Sequence, residues 1–129
     1  MKGVSLDTVR TSNATLKALG PGLVAVFVGG TSGIGESILK AFVGATAASK
    51  VYVVGRSQDA ANRIIKECRE VNETSEVEFL QADVSEIANV DRVCSDIIQR
   101  EKRLNLLVLT TGILTVDGRN GTTHLRLNG

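Results

Sequence analysis

With 129 residues, 43% of them hydrophobic and 22% charged, the chain has one domain's length and an ordinary globular composition, and it is short for a complete dinucleotide enzyme. A net charge of +1 excludes a nucleic-acid surface built on basic excess. No apolar run approaches the roughly 20 residues of a membrane span, and no basic-then-apolar signal segment opens the sequence, so we expect a cytoplasmic protein without membrane contact.

Taken in order, residues 1–20 read as an N-terminal helical extension. Leu6, Val9, Leu16 and Leu19 give a short amphipathic helix that covers part of a sheet and stops at Gly20-Pro21-Gly22. Residues 21–115 read as a partial dinucleotide-binding domain. The β-branched run Leu23–Val28 suits a buried parallel strand, and the helix that follows, from about Gly33 to Gly44, carries Ile34, Ile38 and Ala41/Phe42 at helical spacing. Val51–Val54 is a second strand, closed by Gly55-Arg56-Ser57, with Ser57 placed to cap the next helix. That helix buries Ala61, Ile64, Ile65, Cys68 and Val71. Val77–Leu80 is a third strand, and Ser85 is placed to cap a further helix with an inner stripe of Ile87, Val90, Cys94, Ile97 and Ile98. Leu104–Leu109 is a fourth strand. Residues 116–129, which include the single histidine His124, have no apolar periodicity and read as a disordered tail.

Cys68 and Cys94 both fall on these apolar helix faces, without CxxC or metal-ligand spacing, so reduced core thiols are expected and no metal site is assigned. Strands alternating with amphipathic helices imply βαβ units and a parallel sheet. Right-handed crossovers put the first two connecting helices on one face and the third on the other, giving strand order 3-2-1-4 in a doubly wound, Rossmann-like α/β fold. The turn after the first strand then sits at the topological switch point, where such sheets bind ligands.

That turn, Gly29-Gly30-Thr31-Ser32-Gly33-Ile34-Gly35, is the main functional signal. Gly29, Gly33 and Gly35 form GxxxGxG between a strand and a helix, the context a phosphate cradle requires. Gly29 lets the chain leave the strand, Gly33 permits close approach of a pyrophosphate, and Gly35 allows tight helix packing; Ser32 is placed either to donate to a phosphate or to cap the helix. The alternative is a tight structural turn without a ligand. At the end of the second strand, Gly55 stands where an acid would hold the ribose 2′-OH of NAD, and Arg56 follows. A guanidinium suits a 2′-phosphate, so NADP (NADPH) is favoured over NAD, although Arg56 also fits an ordinary solvated loop arginine. Asp83 ends the third strand on the same rim, where its carboxylate can accept from an adenine amino group beside Val84 or simply lie near a helix N-terminus. Thr110, Thr111 and Gly112 end the fourth strand, where a ribose and nicotinamide would pass.

Together these residues make the chain resemble the N-terminal half of a short-chain dehydrogenase/reductase. Gly29, Gly33 and Gly35 match that family's TGxxxGxG, with Val28 in place of the usual threonine. Arg56 matches the arginine common in NADP-preferring members, and Asp83-Val84 the aspartate–hydrophobic pair that contacts adenine. Leu109-Thr110-Thr111-Gly112 stands where the family usually has Asn-Asn-Ala-Gly, and only the glycine is kept. The likeness runs from roughly Leu6 to Arg119 and is greatest to fungal members, often linked to secondary metabolism. It implies cofactor contacts at Gly29, Thr31, Ser32, Gly33, Ile34, Gly35, Arg56, Asp83, Val84, Thr110 and Gly112.

The family's chemistry uses a serine, a Tyr-x-x-x-Lys pair and an asparagine beyond the fourth strand. Here the single tyrosine, Tyr52, lies inside the second strand, with Arg56 four residues on, so no catalytic residue is assigned. We therefore expect a truncated oxidoreductase, by premature termination or a shifted reading frame, that keeps its cofactor half without independent catalysis. The alternative is a non-enzymatic dinucleotide-binding or interaction module that uses the exposed edge of the fourth strand for a partner or for self-association.

Overall fold

A computed structural model describes residues 3–112; the expected tail at 116–129, His124 included, lies outside the described residues. The elements are α1 (Leu6–Ala14), a 3₁₀ turn (Thr15–Leu19), β1 (Val24–Val28), α2 (Gly33–Ala45), β2 (Lys50–Gly55), α3 (Gln58–Val71), β3 (Glu76–Gln81), α4 (Ile87–Arg100) and β4 (Leu106–Leu109). All pairings are parallel, in the order β3-β2-β1-β4, so the expected topology holds.

Strand alternation divides the apolar residues between two layers. Ala25, Phe27, Val51 and Val53 face α2 and α3, where they meet Leu39, Phe42, Val43, Ile64 and Cys68. Val24, Val26, Tyr52 and Val54 face the other way, toward Val93 and Ile97 of α4. Phe27 and Phe42 pack with ring centroids 6.2 Å apart at 55°. A fully buried side chain of this size stabilises by roughly 1.5–3 kcal/mol. The second layer also holds a polar anchor: Tyr52 is wholly buried, and its hydroxyl donates to Glu101 Oε1 at 2.6 Å, just past the end of α4. Lys50 Nζ lies 3.1 Å from the same carboxylate, whose pKa is lowered by the Tyr52 hydroxyl first and by the ammonium second.

Five local expectations fail, three of them from helix phase. In α3, Ala61, Ile64 and Cys68 are buried as expected, but Val71 at the helix end is 53% exposed. In α2 the buried face is Gly35, Leu39, Phe42 and Val43, so Ile34 and Ile38 point outward. In α4 the residues packed on the sheet are Val93 and Ile97, leaving Ile87, Val90, Ile98 and Cys94 exposed; Cys94 is therefore no core thiol, whereas Cys68 is buried. The helix α1 buries none of its residues and does not cover the sheet. Ser85 does not cap α4, because its hydroxyl donates to Asp83 Oδ1 at 2.7 Å and Glu86 takes the cap position. By contrast, Ser57 caps α3 by accepting from the Ala60 amide at 3.2 Å. No helix among the described residues is long and apolar enough to cross a membrane.

Candidate functional site

The C-terminal ends of the four strands meet in an open cleft of about 590 Å³. It is lined by Gly29, Thr31, Ser32, Gly55, Arg56, Ala82, Asp83, Val84, Ser85, Thr110, Thr111 and Gly112. Of the residues singled out in the sequence, Gly29, Thr31, Ser32, Arg56, Asp83, Val84, Thr110 and Gly112 are brought together there. Gly33, Ile34 and Gly35 are not in the lining: Gly33 starts α2, Ile34 points to solvent, and Gly35 is buried beneath the turn. Gly55 and Thr111, which the sequence places on this rim, line it too, and Ala82 and Ser85 join the lining without having been assigned a contact. Their position at strand ends on one rim is the signal that could have found them.

The glycines of the turn do different work. Gly29 sits at φ +92°, and a Cβ there would stand 2.9 Å from Thr110 Oγ1 and 3.1 Å from the Thr111 amide. Gly35 is excluded from carrying a side chain more firmly, with a notional Cβ 2.5 Å from Thr110 Oγ1 and 2.7 Å from the Gly29 carbonyl oxygen. Gly33, at φ +57°, has open space around it. At Gly30 a Cβ would stand 3.1 Å from Phe27 Cβ and 3.2 Å from Leu39 Cδ1, against the core.

The start of α2 is electrostatically prepared for an anion. Ser32 occupies the cap position, extended, without a side-chain cap bond, so its hydroxyl and the first amides of α2 have no capping partner. The acid in the first turn, Glu36, is taken up elsewhere: Arg63 donates to it at 2.6 Å and Lys40 at 3.0 Å, and these bonds lower its pKa to about 2. Glu67 completes the cluster by pairing with both cations, which fastens α2 to α3.

Across the cleft, Asp83 Oδ1 accepts from the Ser85 hydroxyl and, at 3.0 Å, from the Ser85 amide. Those two bonds, and more weakly the charge of Arg56, lower its pKa, so it is a carboxylate at neutral pH with its second oxygen left over. Gln81 Nε2 donates to the Arg56 carbonyl at 3.0 Å, fixing the backbone from which the exposed guanidinium projects. A Cβ on Gly55 would meet Thr31 Cγ2 at 3.3 Å, so this strand end is tight as well as uncharged.

A doubly wound parallel sheet with a glycine turn at its switch point defines a Rossmann-type fold. The model of the short chain dehydrogenase family matches residues 23–126, and the chain belongs to that family. An oxidoreductase of Emericella nidulans is 42% identical over 119 residues, covering 92% of this chain and 35% of the relative. L-sorbose reductase of Gluconobacter frateurii, solved with NADPH and L-sorbose, superposes with a TM-score of 0.66 at 24% identity, over 76% of this chain and 36% of that one. An alcohol dehydrogenase of the archaeon Thermococcus sibiricus, complexed with 5-hydroxy-NADP, gives 0.58 at 26% identity, over 67% and 35%. The chain thus spans about a third of the length of the proteins it matches.

Proposed function

We propose that this chain is the cofactor-binding part of a short-chain oxidoreductase and holds NADP(H) in the cleft, without turning over a substrate by itself. One observation carries the reading: Arg56, the uncapped start of α2 and Asp83 converge on one rim, with Gly55 in place of an acid. The open space at Gly33 and the free amides of α2 fit a pyrophosphate, Arg56 fits a 2′-phosphate, and the second oxygen of Asp83 can accept from an adenine amino group beside Val84. Thr31, Ser32, Ile34, Thr110 and Gly112 are the further contacts, and Gly29 and Gly35 shape the turn that presents them. When bound, the nicotinamide supplies a hydride acceptor or donor; this chain's residues contribute binding and orientation only. Its single tyrosine, Tyr52, is buried at the far end of the sheet and bonded to Glu101, which removes it from proton transfer in the cleft. A cytoplasmic place in fungal metabolism, secondary metabolism included, belongs to the same proposal; what supports it is only the likeness to a fungal oxidoreductase.

Titration of purified protein with NADPH and NADH, followed by nicotinamide fluorescence, tests this. NADPH binds more tightly than NADH, and Arg56→Ala removes most of that difference; equal losses for the two cofactors would refute the assignment of Arg56.

A second reading has its own observation. Among the described residues nothing pairs with the outer edge of β4, its sequence Leu-Leu-Val-Leu carries no charge, and Leu107 and Leu109 are 52% and 65% exposed. Such an edge suits a partner strand or self-association. Light scattering across a concentration series distinguishes the readings, because an interaction module shifts in mass and a cofactor-binding monomer does not.

A further inference from the structure

The hydroxyl of Thr110 reaches back across the top of the sheet to the glycine turn. Thr110 Oγ1 donates to the Gly29 carbonyl at 3.1 Å, while the Thr110 amide donates to the Val28 carbonyl at 2.9 Å. The Gly29 carbonyl has no other hydrogen-bond partner among the described residues. Gly35 crowds the same oxygen from the helix side, within 2.7 Å of where its Cβ would be. The peptide that bears this carbonyl joins two glycines, Gly29 and Gly30, so side-chain sterics do little to hold its plane. Because the peptide is trans, fixing the carbonyl toward Thr110 also fixes the Gly30 amide in the opposite direction.

We propose that Thr110 is a positioning residue for the phosphate-facing turn: its hydroxyl locks the Gly29–Gly30 peptide so that the start of α2 faces the cleft. This rests on the reading of the cleft as a dinucleotide site, and it changes the part Thr110 plays there. A hydroxyl has one hydrogen, and here it is directed to strand-end carbonyls, Gly29 at 3.1 Å and more distantly Val28 at 3.5 Å, so while the Gly29 bond holds Thr110 can only accept from a bound cofactor. Nothing in the local sequence announces this link, which joins residues 81 positions apart. The neighbouring strand end, Val28, has no hydroxyl to offer in its place.

The test compares Thr110→Val, which keeps the shape and loses the hydroxyl, with Thr110→Ser, which keeps the hydroxyl. In the free proteins, amide hydrogen exchange at Gly29, Glu36 and Thr110, whose amides donate to Val54, Ser32 and Val28 around the turn, is faster in the valine variant and unchanged in the serine variant, with β2 and α3 amides serving as the control for global opening. NADPH affinity falls about two- to fivefold in the valine variant, the scale of one solvent-accessible hydrogen bond, and is retained by serine. Equal turn exchange in the two variants, or uniform acceleration that includes β2 and α3, overturns the proposal. Wild-type protein that fails to bind NADPH overturns the cofactor reading instead, and the exchange comparison still decides the role of Thr110.

Discussion

Gly35→Ala is the substitution whose consequence is most directly computable from the structure. The added Cβ would lie 2.7 Å from the Gly29 carbonyl oxygen and 2.5 Å from Thr110 Oγ1. The threonine can rotate away, but the carbonyl is backbone, so either α2 lifts from the turn or the turn itself shifts. Overpacking of this kind costs about 1–3 kcal/mol. Against it stands the helix preference of alanine over glycine, at most about 1 kcal/mol and less in a first turn, so the collision wins. The net expectation is a loss of about 1–2 kcal/mol in urea unfolding, equivalent to roughly 4–8 °C in Tm for a domain of this size. Gly33 provides the internal contrast. Its neighbourhood is empty and only its φ of +57° resists a side chain, so Gly33→Ala costs about 1–2 kcal/mol through the backbone. Asn at that position recovers most of the loss, because asparagine tolerates left-handed backbone, whereas Asn at position 35 is worse than Ala. A Gly35→Ala variant as stable as wild type, or rescued by Asn, would refute the assigned contact.

Other outcomes follow from the charge and thiol environments. Glu36 titrates at about 2 in the fold against an ordinary 4.5, so its contribution is complete above about pH 4.5 and is lost as pH falls toward 2. Glu36→Gln should flatten the fall in Tm over that window; an unchanged acid limb counts against the Arg63 and Lys40 pairing. With a thiol reagent at pH 8, exposed Cys94 reacts promptly, while Cys68, whose pKa burial pushes up to about 11, reacts only on unfolding. Two fast thiols would show the α3 layer to be open. Tyr52→Phe removes a buried hydroxyl's bond to a carboxylate and should cost about 1.5–3 kcal/mol, with cofactor affinity unchanged because Glu101 lies at the opposite end of the sheet.

Most of the architecture was legible in the sequence because its signals are local. Apolar, β-branched runs at Leu23–Val28 and Val51–Val54, glycines after a strand, and crossover handedness suffice for the order β3-β2-β1-β4 and for the rim on which Arg56 and Asp83 meet. Helix phase was less legible. Ile34, Ile38, Leu39, Ala41, Phe42 and Val43 make α2 apolar almost all round, so periodicity alone cannot choose its inner face. The choice falls to Gly35, the residue that fits under the turn, and Leu39 and Val43 follow it inward. In α4, the stripe through Ile87, Val90 and Cys94 is wider than the surface the sheet offers, and Val93 and Ile97 take the contact. Bonds between distant residues, Thr110 to Gly29 and Tyr52 to Glu101, have no local signature at all.

The central claim is that the strand-end cleft holds NADP(H), and a residue-resolved NMR titration of ¹⁵N-labelled protein with NADPH tests it most directly. The account predicts saturable shifts confined to Gly29–Gly35, Arg56, Asp83, Val84 and Thr110–Gly112, together with a rise in Tm as cofactor is added. No shifts at millimolar NADPH, or shifts centred on the opposite end of the sheet around Lys50 and Glu101, would contradict it.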